Sequence, residues 1–387
     1  MAKLGEICNI VSGATPKTNM AEYWNGDFLW ITPAELNDRT KYVYTTDRKI
    51  TQLAIEKTAL RVLPKGTVLL SSRAPIGKVA ITAVEMFCNQ GFKNLICTNL
   101  IFNEYLFWFL KSKTAYLNSL GRGATFKEIS RNIVEKIEIP LPSLEQQHHI
   151  VNTLDKINEL IDLKKRQLQL LDDLVKARFI ELFGTVKNNH QEYPVIKISG
   201  CAKLQGGFAF KSSDYLDNGI RLVQISNVNK DTLDWDSINC VPQTFLQKYK
   251  DFELHVGDLV LAMTRPVIKS LDAVKIATVS ENDVPSLLNQ RVGRFIIDIT
   301  KINSTYLMLC CQMTEFREYV EAMSGNSLQP NISSKQVEDY SIVLPPLELQ
   351  EQFAAFVEQT DKSKFVVQKA LDEAQLLFDS LMQEYFG

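Results

Sequence analysis

The sequence predicts an α+β protein: two tandem strand-rich domains, each followed by a long helix, with the two helices paired as an antiparallel coiled coil. Apolar residues recur at alternating steps of four and three residues from Ile150 to Leu182, and the pattern returns in phase 203 residues later. Short apolar runs separated by Gly, Pro, Asn and Asp precede each periodic stretch, as expected of strands. A chain of 387 residues is also too long for one ordinary core, which favours two domains.

Each periodic stretch is predicted to be a helix that packs on the other. A 4-3 spacing kept this long is the a/d pattern of helices that supercoil. The first helix is expected over Leu144–Phe183, after a capping box of Ser143 and Gln146 and before Gly184. Two unrelated core helices would not share the heptad phase, a Leu-Pro-x-Leu-Glu-x-Gln start and a Phe-Gly end. The predicted seam residues are Ile150, Leu154, Ile157, Ile161, Leu168, Leu171, Val175, Phe353, Val357, Val367, Leu371, Phe378 and Leu381.

Residues 1–138 are predicted to form a mixed domain rich in strands. Its short runs of apolar and β-branched residues are bounded by turn residues. One helix is expected over residues 103–120, because Tyr105, Phe109 and Tyr116 are spaced for one face. The runs predicted to be strands are 28–32, 67–71, 78–82, 94–97 and 133–139.

Residues 196–341 repeat this domain loosely, which indicates a tandem duplication. The stretch 66–73 resembles 257–265 with one insertion, so Arg73 and Arg265 are predicted to be equivalent. The other matches place Lys197 on Lys3, Gly207 on Gly13, and Asn289-Gln290 on Asn89-Gln90.

The net charge of −2 conceals an uneven distribution along the chain. Residues 1–138 carry a formal charge of +6 and residues 139–184 carry −1, whereas 185–341 carry −2 and 342–387 carry −5. The acidic helical blocks therefore mask the charge of the segments that they connect. Only the first segment is basic enough by itself to favour a polyanionic partner.

The composition indicates a cytoplasmic protein. No run of about 18 apolar residues is present, so no membrane span is expected. The first residues lack the apolar region of a signal peptide. The seven cysteines show no Cys-x-x-Cys spacing, which fits reduced thiols.

The motifs of common catalytic sites are missing. The sequence has no Gly-x-x-x-x-Gly-Lys-Ser/Thr loop, no Gly-x-Gly-x-x-Gly after a strand, no His-Glu-x-x-His and no Gly-x-Ser-x-Gly. Four histidines, without metal-spaced cysteines, leave little for acid–base or metal chemistry. We therefore expect a chain that is not an enzyme, with no catalytic residue, no metal site and no cofactor bound by itself.

Recognition chemistry remains, in polar loop residues that recur in both halves. In the major groove Arg suits guanine and Asn or Gln suits adenine, whereas Lys suits phosphate. Each residue alone is more often part of an ordinary turn or a solvated strand end, but the repetition favours the set. The candidate DNA-binding residues are Arg73, Lys78, Asn89, Gln90, Lys93, Arg122, Lys127, Lys211, Arg265, Lys269, Asn289, Gln290, Arg291 and Asn326.

These features together resemble the specificity subunit of type I restriction–modification systems. The helix openings at 141–147 and 344–350 are similar to a Leu-Pro-Pro-Leu-x-x-Gln signature of that family, and 257–265 is similar to part of its recognition domains. The resemblance covers essentially the whole chain. It implies a target-recognition domain at 1–138, a spacer helix at 139–184, a linker and second target-recognition domain at 185–341, and a second spacer helix at 342–387.

The resemblance implies a DNA-reading scaffold whose catalysis lies in other subunits. The implied partners are double-stranded DNA, read as a bipartite asymmetric target, and two methyltransferase (M) subunits docked on the helices, which bring in restriction (R) subunits. S-adenosylmethionine, ATP and magnesium are implied for those subunits. Two alternatives stay open: a recognition subunit for a single-chain methyltransferase–nuclease, and a coiled-coil interaction scaffold without DNA binding.

Overall fold

The computed structural model describes residues 1–37, 40–73, 75–121, 127–324 and 329–387. These divide into two compact units, one of residues 1–166 with 368–387 and the other of residues 167–367. Each unit contains one strand-rich domain and a part of both long helices. The predicted boundaries at 138, 184 and 341 follow the chain order, whereas the compact units divide each helix in two.

The first unit is built on a five-stranded and a three-stranded sheet. Its strands are β1 (Ala2–Lys3), β2 (Cys8–Ser12), β3 (Trp24–Ile31), β4 (Tyr42–Val43), β5 (Arg48–Ile50), β6 (Val68–Leu70), β7 (Val79–Thr82), β8 (Phe87–Cys88), β9 (Lys93–Cys97) and β10 (Glu138–Ile139). Its helices are α1 (Leu4–Ile7), α2 (Gln52–Lys57), α3 (Asn103–Ser112), α4 (Thr114–Ser119), α5 (Arg131–Glu135) and the first part of α6 (Leu144–Phe183). The sheet orders are β2-β9-β6-β7-β4 and β5-β3-β8, and β1 pairs with β10.

The second unit repeats this plan. Its strands are β11 (Val195–Lys197), β12 (Ala202–Gly206), β13 (Ile220–Val223), β14 (Lys230–Asp231), β15 (Cys240–Val241), β16 (Glu253–Leu254), β17 (Leu259–Ala262), β18 (Val267–Ile268), β19 (Ala273–Val274), β20 (Ile276–Thr278), β21 (Ser286–Leu288), β22 (Val292–Ile297) and β23 (Ser341–Val343). Its helices are α7 (Phe245–Lys248), α8 (Ser304–Gln312), α9 (Thr314–Ser324), α10 (Ser334–Glu338) and the first part of α11 (Leu347–Phe386). The five-stranded order β12-β22-β17-β20-β14 matches that of the first unit.

The central strands are buried on both faces, which explains their unbroken apolar sequence. Val68 and Leu70 pack with α3 in one cluster, whereas Leu69 packs with Ile31 of the smaller sheet in another. Because successive side chains point to opposite faces, a strand covered on both sides has no polar position. In the second unit β17 is shared between two clusters in the same way.

The two long helices run antiparallel, as predicted. In the second unit Lys364 Nζ lies 2.7 Å from Asp172 Oδ1, and the ring centroids of Phe183 and Phe353 lie 5.3 Å apart. Residue numbers therefore increase along one helix in the direction in which they decrease along the other. In the first unit the start of α6 and the end of α11 share one core cluster, which contains Leu154 and Phe386. Every predicted seam residue is buried or half-buried.

The predicted end signals of α6 are present in the structure. The backbone N–H of Gln146 donates to Ser143 Oγ at 3.3 Å, and the backbone N–H of Ser143 donates to Gln146 Oε1 at 3.2 Å. This reciprocal pair satisfies two groups that the first helical turn leaves open. Gly184 follows the helix with φ of 66°, the left-handed conformation that glycine adopts at low cost.

The glutamine of each helix signature connects the helix to its own domain. Gln147 is fully buried; its Oε1 accepts from the Phe102 N–H at 2.7 Å, and its Nε2 donates to the Leu100 and Pro142 carbonyls at 3.1 and 2.9 Å. Gln350 is also fully buried and bonds Asn303 and two carbonyls in the same pattern. The signature thus fixes the loop before α3 or α8 to the start of the long helix.

Two sequence predictions about the first domain are wrong. The predicted strand at 133–139 begins inside helix α5, because Ser130 Oγ accepts from the Ile133 N–H and caps a helical turn, and only its last two residues form a strand, β10. The predicted helix at 103–120 is divided into α3 and α4. The hydroxyls of Ser112 and Thr114 donate to carbonyls of the preceding turn there, which competes with helical bonding. Tyr116 is consequently exposed rather than on the buried face.

Lysines on β14 and α11 meet one aspartate of α6 in the second unit. Asp172 lies 2.7 Å from Lys364 and 3.2 Å from Lys230. Burial alone would raise the pKa of Asp172, but the hydrogen bond from Lys364 and the charge of Lys230 outweigh it, so the pKa lies below its usual value. The native state therefore binds fewer protons here than the unfolded state, and the ion pairs stabilise the fold above about pH 4.

We predict that replacing Gln147 by Ala lowers the free energy of unfolding by about 2–4 kcal/mol, because it leaves a buried N–H and two carbonyls unpaired. Urea unfolding followed by circular dichroism measures the change. Gln169→Ala is the control, since Gln169 is exposed and bonds only Asp173 within the helix, so its effect should stay within about 0.5 kcal/mol. Equal effects of the two variants would show that Gln147 does not connect loop and helix.

We also predict that Asp172→Asn lowers the urea midpoint at neutral pH, and that this difference from the wild type shrinks as the pH falls below about 4. Protonation of Asp172 in the wild type removes the same ion pairs, which is why the two proteins converge. Asp173→Asn is the matched control on the exposed face and should leave the midpoint unchanged at every pH. A difference that persists undiminished at pH 3 would contradict this account.

Candidate nucleic-acid interface

A tight turn carrying Asn89 and Gln90 joins the two sheets of the first unit. The Asn89 N–H donates to the Ile31 carbonyl at 2.9 Å, and its Nδ2 donates to Thr15 Oγ1 at 3.0 Å. Asn89 Oδ1 accepts from the Gly91 N–H at 2.6 Å, and the Thr15 hydroxyl donates to Gln90 Oε1. The Asn89 amide is therefore used within the turn, while the Gln90 side chain is exposed.

Asn289 and Gln290 form the corresponding turn of the second unit, as the sequence predicts. The Asn289 N–H donates to the Val223 carbonyl at 3.1 Å, and its carbonyl accepts from the Val292 N–H at 3.2 Å. Asn289 is 2% exposed and its Nδ2 donates to the Tyr215 hydroxyl at 3.4 Å, whereas Gln290 is exposed. Both units thus present a glutamine beyond a fixed asparagine.

A glycine makes room for each turn. A Cβ atom on Gly13 would lie 2.1 Å from the Asn89 carbonyl oxygen, and one on Gly207 would lie 2.1 Å from the Asn289 carbonyl oxygen. Real Cβ atoms do not approach backbone so closely, so these positions require glycine for close approach. The predicted equivalence of Gly13 and Gly207 is confirmed by this shared packing.

The predicted equivalence of Arg73 and Arg265 is wrong. The backbone of Arg73 bridges Glu128, and the backbone of Thr264 bridges Asn331 in the same place. No insertion therefore separates the two stretches, and Arg265 lies one residue further along the chain. Arg73 is half-buried, whereas Arg265 is exposed with φ of 48°, a left-handed conformation unusual for a residue with a side chain.

The ammonium group of Lys78 is held inside the first unit. It donates to the Pro33 carbonyl at 3.2 Å and to the Leu36 carbonyl at 2.5 Å. Lys275 is its counterpart in the second unit and donates to the Ile225 carbonyl at 3.1 Å. Burial, together with the charge of Arg265, lowers the pKa of Lys275. Both lysines fasten the loop that follows β3 or β13.

A second cation site differs between the units. Lys93 is 7% exposed and its Nζ lies 3.0 Å from Glu128 Oε1, so its charge is compensated. In the second unit Gly293 stands at the position of Lys93, and Asn331, the counterpart of Glu128, instead accepts from Arg291 Nη1 at 3.1 Å. Because its acceptors are an amide and the Thr264 hydroxyl, the Arg291 charge is not neutralised by them.

The remaining candidates are distributed over both units. Lys127 in the first unit, and Lys211, Lys269 and Arg291 in the second, are exposed. Arg122 and Asn326, with the glycine-containing loops at 123–125 and 325–327, lie outside the described residues. The exposed candidates that adjoin the turns are therefore Gln90, Gln290, Arg265 and Arg291.

Sequence reasoning missed the polar partners that hold the turns. In the first unit this partner is Thr15, which follows the predicted Gly13. In the second unit the Gln224 Nε2 donates to the Tyr215 hydroxyl at 3.1 Å, which also receives the Asn289 amide. Asn331 precedes an Ile-Ser pair that recurs after Glu128, and that repetition would have located it. Tyr215 and Gln224 have no such signal.

The described residues offer recognition chemistry. Among them, no group of three His, Cys, Asp or Glu side chains could hold a metal ion. No helix in the described ranges is long and apolar enough to cross a membrane. The turns and the residues next to them present exposed amide and guanidinium groups on a hydrogen-bonded backbone. Amide and guanidinium groups are those that read base edges in the major groove.

The sequence profile of the family described as "Type I restriction modification DNA specificity domain" matches residues 1–172 and 190–374. The specificity subunit of the type I restriction enzyme MjaIX of Methanocaldococcus jannaschii is 31% identical, with 98% of this chain and 90% of that protein covered. The EcoKI specificity subunit of Escherichia coli K12 is 23% identical, with coverage of 99% and 86%.

Solved structures show the same fold. The crystal structure of a type I restriction–modification S subunit from M. genitalium has a TM-score of 0.61 at 15% identity and covers 100% of this chain and 95% of that one. A chain from a structure on complex assembly and conformational transition of the type I R-M system also has a TM-score of 0.61, at 18% identity, with coverage of 100% and 96%. Two tandem strand-rich domains with long helices are therefore a fold that the chain shares with these proteins.

We predict that Gly207→Ala destabilises the protein by about 1–3 kcal/mol, because the added methyl group overpacks against the Asn289 carbonyl. Denaturant unfolding measures this change. Gly200→Ala is the matched control, since a Cβ there would meet its nearest atom at 3.4 Å, an ordinary contact. If both variants unfold at the same denaturant concentration as the wild type, the turn does not depend on the glycine.

Proposed function

Because the chain belongs to the family of type I restriction–modification DNA specificity subunits, we propose that each of its strand-rich domains reads one half of a split, asymmetric double-stranded DNA target. The observation that carries this proposal is the turn of Asn89-Gln90 and its counterpart at Asn289-Gln290. The two turns share two backbone hydrogen bonds, one made by the N–H of the asparagine and one by its carbonyl, and each presents an exposed glutamine from this fixed base. Base reading needs such positioned groups, since errors in placement remove bidentate hydrogen bonding.

The reading groups proposed here are those whose polar atoms remain available. Lys78 and Lys93 are occupied by carbonyls and by Glu128, so they support the fold of the domain. Gln90 in the first unit and Gln290 in the second are exposed, and because Gln90 Oε1 accepts from the Thr15 hydroxyl, it is the Nε2 group of Gln90 that remains available. Among the described residues no carboxylate pairs with Arg265 or Arg291, so both add positive charge to the second unit. Lys127, Lys211 and Lys269 are exposed and suited to phosphate, which fixes position rather than sequence.

The outer faces of the long helices are proposed to dock methyltransferase subunits. Leu163 and Leu170 of α6 and Phe365 and Leu376 of α11 are 57, 56, 72 and 73% exposed, although the seam of the same helices is buried. Exposed apolar side chains that lie together in a patch are typical of interaction surfaces, and Leu170 and Leu174, one turn apart on α6, are both exposed. Restriction subunits would join through the methyltransferase subunits.

Catalysis is proposed to reside in those partners. Methylation would use S-adenosylmethionine, and cleavage would use ATP and magnesium, all bound by the partner subunits rather than by this chain. This chain contributes the recognition surface and the connection between its two domains. The helices support a docking role, since their polar and apolar outer residues are not needed to form the seam.

The proposal is tested by the binding of the full chain to double-stranded DNA. We expect a random duplex library to yield a target of two short sequences separated by a fixed gap, with the logarithm of affinity falling linearly with the logarithm of salt. Selection of duplexes without any common sequence would contradict a specificity role. Co-purification with a methyltransferase subunit tests the docking proposal separately.

We predict that Arg265→Ala weakens binding to the selected target by about 1–3 kcal/mol and relaxes one half of it, as expected of a bidentate contact to guanine. Lys269→Ala should instead weaken binding to all duplexes alike and reduce the salt slope by about 1. Fluorescence anisotropy over a range of salt concentrations measures both. Lys362→Ala removes the same charge from the outer face of α11, where Lys362 pairs with Glu358, and should change neither quantity. An effect of Lys362→Ala as large as that of Arg265→Ala would mean that net charge alone is measured.

A further inference from the structure

Arg48 lies on the strand next to the turn of the first unit, at a position that the sequence did not single out. The backbone of Arg48 pairs with that of Trp30 on β3, and Trp30 pairs on its other side with Phe87 of β8. Phe87 lies two residues before Asn89. Directly opposite residues point to the same face of a sheet. The indole Nε1 of Trp30 donates to the Ala14 carbonyl at 3.1 Å, and Ala14 precedes the Thr15 that holds the turn.

The guanidinium group of Arg48 is held by aromatic rings. Its Cζ lies 3.7 Å from the ring centroid of Trp24 and 5.2 Å from that of Trp30. Among the described residues, no carboxylate lies within ion-pair distance of it, and the side chain is exposed. This contact with the Trp24 ring restrains the guanidinium group, while its N–H donors, which lie in the plane of the guanidinium, remain available.

The equivalent position in the second unit is Asn239. The Leu222 N–H donates to the Asn239 carbonyl at 2.9 Å, and Leu222 precedes Val223, the residue that accepts from the Asn289 N–H. Trp30 likewise precedes Ile31, which accepts from the Asn89 N–H. The pairs Trp30–Arg48 and Leu222–Asn239 therefore occupy the same register.

Asn239 is connected to the turn of its own unit. Its Nδ2 donates to Gln224 Oε1 at 2.7 Å, and Gln224 Nε2 donates to the Tyr215 hydroxyl, which receives the Asn289 amide. This network fixes the Asn239 side-chain orientation and uses one of its donors, so the carbonyl oxygen and the second N–H remain. A half-buried asparagine held in this way is pre-organised in the second unit, as Arg48 is in the first.

We propose that positions 48 and 239 are equivalent base-reading positions, Arg48 reading a guanine in one half of the target and Asn239 an adenine in the other. This inference rests on the proposed function. Arg forms a bidentate pair with guanine O6 and N7, and Asn forms one with adenine N6 and N7, both in the major groove. The strand register is the same in both units, whereas positions 48 and 239 carry the two side chains that select between the purines.

The test is a reciprocal exchange in the full chain. Wild type, Arg48→Asn and Asn239→Arg are each used to select duplexes from a random double-stranded library, and the affinities of the selected sequences are measured by anisotropy. Arg48→Asn should convert one guanine of one half to adenine and leave the other half unchanged. Asn239→Arg should convert one adenine of the other half to guanine. Each variant should lose on the order of ten- to a hundredfold in affinity for the wild-type target.

Two matched variants separate reading from charge and from folding. Lys49→Asn makes the same charge change on the opposite face of β5 and should leave the selected sequence unaltered. Arg48→Lys keeps the charge but loses the planar fork, so it should weaken the guanine preference without creating an adenine preference. Thermal unfolding verifies that each variant is folded. Because the exchange is made separately in each unit, the proposal can still be tested with one variant if the other does not fold.

The outcomes have distinct meanings. If Arg48→Asn weakens binding to every duplex alike and reduces the salt slope, Arg48 contacts phosphate and the inference is overturned. It is equally overturned if folded Arg48→Asn or Asn239→Arg selects the wild-type sequence with wild-type affinity. If the wild type itself selects no common sequence, the proposed function fails, and that result is distinguishable from the other two.

Discussion

The structure depends on aromatic residues at the ends of the two long helices. Each helix follows one domain in the chain, and the aromatic residues at its end complete the core of the other domain. Phe386, the penultimate residue, is 1% exposed and its ring centroid lies 5.3 Å from that of Tyr105 in the first unit. In the second unit Phe183 lies 4.9 Å from Tyr306. Each domain is thus closed by the helix that follows the other domain. Removing such a buried aromatic side chain costs about 3–5 kcal/mol, so the antiparallel pairing is a requirement of both cores.

This exchange explains why the duplicated parts agree so closely in backbone and differ in side chains. The hydroxyls of Tyr105 and Tyr306 donate to the Pro140 and Val343 carbonyls, so each helix begins at a fixed place on its domain. Gln147 and Gln350 fasten the same junction. With the scaffold determined at these buried points, the residues that face outward around the turns are under little constraint from folding. They are therefore free to differ between the two domains.

Much of this arrangement could be predicted from the sequence, because it follows from local and periodic signals. The heptad phase, the Ser143 capping box and the Gly184 end depend on residues within a few positions of one another. The repeated Asn-Gln pairs and their glycines were found because duplication preserved them. The strand expected at 133–139 failed because an apolar run of that length does not distinguish strand from buried helix, and Ser130 decides in favour of the helix.

What could not be predicted is which charges are consumed by the fold. Lys93 and Glu128 are 35 residues apart and meet only because β9 and the segment before α5 are brought together, so sequence spacing gives no sign of the pair. The predicted equivalence of Arg73 and Arg265 failed for a related reason. It required a one-residue insertion in the second domain, and the pairing of Arg73 with Glu128 and of Thr264 with Asn331 shows that no insertion is present. Candidate residues for recognition were chosen by type, and type does not show whether a donor is free.

The contrast between Glu128 in the first unit and its counterpart Asn331 in the second indicates how specificity can change without loss of the fold. In the first unit Lys93 is neutralised by Glu128, whereas in the second unit Arg291 faces Asn331. A buried lysine needs its carboxylate, because an unpaired buried charge is strongly destabilising. An exposed arginine beside an amide has no such requirement and keeps its donors for a ligand. In the strand register Gly293 corresponds to Lys93, and Arg291 corresponds to Gly91. The two units therefore place their cations at different positions beside the same turn: a buried, structural cation in the first unit, and an exposed one with donors left for a ligand in the second.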